Sequence, residues 1–76
     1  MIVFHRLWET MKTRGISGYA LRDRYGIDSH TLQDLRENKN VTVKTLDRLC
    51  AILDCRLEDI AEYIPDQKES DQEVFQ

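Results

Sequence analysis

Two short stretches of helical period stand on either side of Gly26-Ile27-Asp28, and those three residues are all that joins them. The stretch before the junction starts at Ser17, whose hydroxyl suits a helix N-cap, and carries Ala20, Leu21 and Tyr25 on one face. Gly26 ends it with the positive φ that residues bearing a Cβ resist. The stretch after the junction is capped by Asp28 or Ser29 and turns Thr31, Leu32 and Leu35 inward. A glycine-bearing connection this short forces the two helices to cross steeply, which is the geometry of a helix-turn-helix. Taken alone, Leu21, Gly26, Ile27 and Leu32 would match many helical hairpins, so the rest of the chain has to decide.

The flanking sequence is also helical. Phe4, Leu7, Trp8 and Met11 fall at i, i+3, i+4 and i+7, and Gly15 suits the stop that follows. Asn38-Lys39-Asn40 is turn chemistry. Thr42 caps a fourth helix with Val43, Leu46, Leu49, Cys50 and Leu53 on one face, and Leu57, Ile60, Ala61 and Ile64 stripe a fifth that Pro65 stops. Ile2, Val3 and Phe4 form the one strand-like run, read by default as a frayed terminus. The expectation is an all-α, compact five-helix domain over residues 1–64 with an acidic tail over 65–76. Helices this short are marginal alone, so mutual packing must hold them.

Length and cysteine content narrow the function. A chain of 76 residues buries only about 60% of its unfolded surface and can hardly enclose a deep cleft. The sequence shows no nucleophile with a local base, no glycine-rich phosphate loop and no convergent metal-ligand set, so no enzyme, cofactor or metal is expected. Cys50 reads as a small core hydrophobe, and Cys55, about 140° around at the helix end that Asp54 and Cys55 break, does not converge with it. Two cysteines make no disulfide scaffold and point to a reducing, cytoplasmic setting, and no apolar run reaches the ~20 residues of a membrane span.

The net charge of −3 argues against a nucleic-acid partner until it is divided along the chain. Residues 1–53 carry nine basic and six acidic side chains, a charge of +3, while residues 54–76 carry two and eight, a charge of −6. The half that contains the steep hairpin is therefore basic.

The run ISGYALRDRYGIDSHTLQDLRENKNVTVKTLDRLCAILDCRLEDIAEYIPD resembles the small Cro/C1-type (Xre-type) helix-turn-helix regulators of bacteria and phages, and the likeness extends from about Leu7 to Asp66. The resemblance implies a lambda-repressor-like fold, double-stranded DNA as partner, operator reading through the third helix, and a homodimer. Three departures stand out. Arg22 occupies a position where the family usually has a small alanine, and Gly18 one where it often has glutamine. Arg36-Glu37-Asn38 replaces a common Glu-x-Gly.

If Leu32 and Leu35 point inward, Ser29, His30, Gln33 and Asp34 are the base-contact candidates near the start of the reading helix. Gln33 can pair with adenine, Ser29 with several bases, and Asp34 can accept from cytosine. Phosphate candidates are Ser17, Gly18 and Tyr19 at the start of the second helix, with Asn38, Lys39, Asn40 and Lys44 after the third. The dimer contact is expected on Leu57, Ile60, Ala61 and Ile64. A second reading stays open: Asp34 and Glu37 put acid on the face that should meet DNA, which suits a protein-interaction or antitoxin-like module that keeps the fold without strong DNA binding.

Overall fold

A computed structural model describes residues 1–65; the acidic tail expected over 65–76 therefore lies outside the described residues except for Pro65. The order is β1 (Ile2–Val3), α1 (His5–Arg14), α2 (Gly18–Asp23), α3 (Ser29–Arg36), α4 (Val43–Leu53), a single 3₁₀ turn (Leu57–Asp59) and β2 (Glu62–Tyr63). Four α-helices form among the described residues, not five.

The helix boundaries follow from local chemistry. The side-chain oxygens of Ser17, Asp28 and Thr42 accept the N–H groups of Ala20, Thr31 and Thr45, satisfying donors the first turn leaves open. Gly15 (φ 72°) and Gly26 (φ 75°) take the left-handed conformation that lets the chain leave α1 and enter the turn before α3. Asn38 (φ 57°) does the same after α3 and also accepts the Phe4 N–H through Oδ1 at 2.8 Å. Asp54 (φ 51°) ends α4, and Arg14 closes that end by donating to the carbonyls of Leu53 (2.8 Å) and Asp54 (3.0 Å).

One apolar cluster holds the helices together. Leu7 and Met11 of α1, Leu21 of α2, Leu32 and Leu35 of α3 and Leu49 and Leu53 of α4 are buried in it, with Phe4, Ile27 and Ile60 between them. Ile27, from the turn itself, is a core residue, which locks the α2–α3 crossing rather than leaving it as a hinge.

The expected fifth helix is replaced by the 3₁₀ turn and a strand. Asp59 Oδ2 accepts the Arg56 N–H at 3.0 Å and fixes one turn, but Ile60 (φ −124°) leaves helical geometry. Only four residues separate Ile60 from Pro65, and the residue before a proline is driven toward extended conformations. The extended segment instead finds the N-terminus: Ile2 pairs with Tyr63 and Val3 with Glu62, antiparallel, and the Ile64 N–H reaches the Met1 carbonyl at 2.8 Å. The N-terminus expected to fray is thus the partner strand. Ile60 is fully buried in the monomer's own core (0% exposed), so it cannot belong to a dimer surface.

Val43, expected inward, is 80% exposed because it occupies the first turn of α4, beyond the reach of the core its stripe points toward. Tyr25 falls beyond the end of α2 and is partly exposed; its carbonyl accepts from Arg48. The cysteines do meet. Left-handed Asp54 turns the chain back so that the Cys55 N–H reaches the Cys50 carbonyl at 3.1 Å, and both side chains pack on the core. Burial, then the neighbouring Cys50, pushes the Cys55 thiol above its ordinary pKa.

Candidate nucleic-acid interface

Helix α3 presents a polar face because Leu32 and Leu35 anchor it from beneath. Ser29, His30, Gln33 and Glu37 are exposed along the opposite side, and Asp34 is half-buried beside them. Ser29 is the first residue of the helix, one position after the Asp28 cap. The Thr31 N–H bound to Asp28 holds that carboxyl below the usual aspartate range.

The acidic residues on this face are partnered. Asp34 Oδ2 lies 3.4 Å from His30 Nε2, four residues earlier. Glu37 accepts the Gln33 side-chain amide at 2.5 Å and pairs with Lys39 Nζ at 2.9 Å. The Gln33 hydrogen bond first, and Lys39 second, lower the Glu37 pKa; Glu37 in turn raises that of Lys39. Gln33 therefore spends one of its two amide donors on Glu37 in the free protein, and the other N–H and the carbonyl oxygen remain for adenine.

The phosphate candidates fall into two groups. At the start of α2, Ser17 uses its oxygen as the cap and keeps only its O–H to donate, Gly18 is the first helical residue, and Tyr19 is exposed with the Arg22 guanidinium 5.6 Å from its ring centre. Arg22, too long for the tight helix contact that alanine would make, thus lies outward on an aromatic ring. After α3, Lys39 and Asn40 are exposed, and Lys44 is exposed in the first turn of α4 with no acidic partner among the described residues. Asn38 is half-buried and its carbonyl is committed to Phe4, so it positions the loop first.

Two cations escaped the sequence reading. Arg14 serves as the C-terminal closure of α4. Arg36, the last residue of α3, places its guanidinium 5.5 Å from the centre of the Trp8 ring. An exposed arginine four residues after an inward leucine gives no sequence signal that an aromatic ring waits beneath it.

Of the expected dimer residues, Leu57 is exposed, Ala61 is half-buried and Ile64 is partly exposed, while Ile60 is internal. Leu57 joins two shallow apolar depressions, one lined by Val43, Leu46 and Cys50, the other by Ile2, Ala61 and Tyr63. Among the described residues no group of three or more His, Cys, Asp or Glu side chains is placed to hold a metal ion, and no helix is long and apolar enough to cross a membrane.

An α2–α3 hairpin whose short turn buries Ile27 in the core, with a polar face on α3, defines a helix-turn-helix DNA-binding domain. The chain belongs to the Cro/C1-type HTH DNA-binding domain family, whose model matches residues 6–66. Among solved structures it is similar to "transcriptional regulator VanUg, Form II", with a TM-score of 0.77 and 29% identity, over 86% of this chain and 87% of that one. No curated protein matches.

Proposed function

We propose that the protein is a sequence-specific transcriptional regulator, acting as a repressor in the cytoplasm and binding an operator as a homodimer. The observation that carries this reading is the outward face of α3: Ser29, His30 and Gln33 stand exposed on a helix fixed by a buried turn residue. In this reading α3 enters the major groove, Ser29, His30, Gln33 and Asp34 meet base edges, and α2 lies across the backbone. Gly18, Tyr19, Lys39, Asn40 and Lys44 then supply phosphate contacts, with Ser17 donating only its O–H and Asn38 chiefly holding the loop. The similarity to a solved transcriptional regulator supports the same conclusion.

Residues 1–64 are proposed as the DNA-binding unit and 65–76 as an acidic extension. Two copies are proposed to meet through Leu57, Ala61 and Ile64, enlarged by Val43 and Ile2. Pairing is needed because one small module makes few base contacts and two half-sites multiply affinity.

A second reading as a protein-interaction module draws on Asp34 and Glu37, which set two carboxylates on the α3 face, and on the exposed Val43 and Leu57. A salt series on duplex DNA separates the two. A regulator that neutralises several phosphates loses affinity steeply as salt rises, with a log–log slope of about −0.9 per contact. Absent binding at low salt to any member of a random duplex pool supports the interaction module instead.

A further inference from the structure

Resting on the DNA-binding reading above, we propose that Arg36 is a contact to the DNA backbone phosphate, with Trp8 as its positioning residue. Arg36 closes α3, yet its guanidinium lies against α2: a Cβ added at Gly18 would stand 3.4 Å from Nη2. The side chain therefore bridges the two helices of the motif, the reading helix and the one that crosses the backbone.

Two features mark Arg36, and among the described cations Arg22, on the Tyr19 ring, shares them. Arg36 has no carboxylate partner among the described residues, whereas Lys39 is paired with Glu37. Arg48 is occupied by the Tyr25 carbonyl, and Arg14 by Leu53 and Asp54. Its guanidinium is held 5.5 Å from the Trp8 ring centre, and a guanidinium stacked on an aromatic ring keeps its in-plane N–H fork available. That fork matches the oxygens of a phosphate.

Beside Trp8, a shallow hollow of about 350 Å³ is lined by Met11, Lys12, Gly15, Ile16 and Ser17, so one ammonium and one hydroxyl lie near the ring that carries Arg36. Gly18 leaves the space beside Nη2 open, and a Cβ there would make ordinary van der Waals contact with it. Trp8 is half-buried and packs on the core, which fixes the platform.

The test uses the full chain and a mixed-sequence duplex, with affinity measured across a salt series for wild type, Arg36→Gln and Arg36→Lys. For Arg36→Gln the salt slope should shrink by about 0.9, the increment for one phosphate contact, with the same fractional loss on every duplex sequence. Arg36→Lys keeps the charge and the slope but loses the fork, and should bind several-fold more weakly than wild type. A wild-type slope in Arg36→Gln, or wild-type affinity in Arg36→Lys, overturns the assignment. If wild type binds steeply and only these variants fail to differ, Arg36 is a surface cation and the DNA-binding reading stands. If wild type shows no salt-dependent binding, both fall together.

Discussion

Asn38 has two duties that substitution can separate. Its backbone sits at φ 57°, and its Oδ1 accepts the Phe4 N–H at 2.8 Å, tying the loop after α3 to the start of α1. Asn38→Gly preserves the left-handed conformation and removes the acceptor. The Phe4 donor is part-buried, so its loss of a partner should cost about 1–3 kcal/mol. Asn38→Ala also removes the acceptor and adds about 1–2 kcal/mol of left-handed strain. The order of stability is therefore wild type, then Gly, then Ala. In a domain of this size each kcal/mol moves the melting temperature by roughly 4–8 °C, so both steps fall within calorimetric resolution. Urea unfolding of the three proteins gives the same order independently. Equal stability of wild type and Asn38→Gly would refute the clamp. If that variant also bound DNA more weakly, Asn38 would be a phosphate contact alone.

Leu35→Ala removes a fully buried side chain at the centre of α3's inward face and should cost about 2–5 kcal/mol, enough to threaten folding; the urea midpoint checks this. Acid should expose the Asp28 cap. Its folded pKa is depressed, so its contribution is complete above the ordinary aspartate value of about 3.9 and is lost as pH falls through the lowered folded value. A urea midpoint that falls more steeply with acid in wild type than in Asp28→Asn is the expected sign.

Much of the fold is legible locally. Ser17, Asp28 and Thr42 cap the helices their positions indicate, and Gly15, Gly26 and Asn38 take the left-handed conformations that their chemistry permits. What the sequence hid is non-local. Leu57, Ile60, Ala61 and Ile64 have helical spacing, but the strand that captures this segment lies some sixty residues earlier, at Ile2–Val3, and no local periodicity encodes that pairing. A 140° step to the helix end separated Cys50 from Cys55 on paper; the left-handed turn at Asp54 brings them together. Periodicity gave Val43 a direction but not the extent of the core beneath it.

The interface divides the same way. The outward set on α3 follows from a 100° step once Leu32 and Leu35 are fixed inward. The partners of that set do not: the Gln33–Glu37–Lys39 chain and the His30–Asp34 pair depend on side-chain reach. These contacts soften the objection raised by the two acids, since Glu37 is paired with Lys39 and Asp34 is half-buried beside the His30 ring. They also orient the Gln33 amide, leaving one N–H and the carbonyl oxygen for a base edge.

Selection of bound sites from a random duplex pool, run in parallel on wild type and Gln33→Ala, tests the central claim most directly. Wild type should enrich a defined motif, in paired half-sites if the protein binds as a dimer. Gln33→Ala should lose preference at one position of each half-site, at a cost of about 1–3 kcal/mol on the best sequence. No enrichment by wild type, or an identical motif from both proteins, would contradict the assignment of α3 as the reader through Gln33.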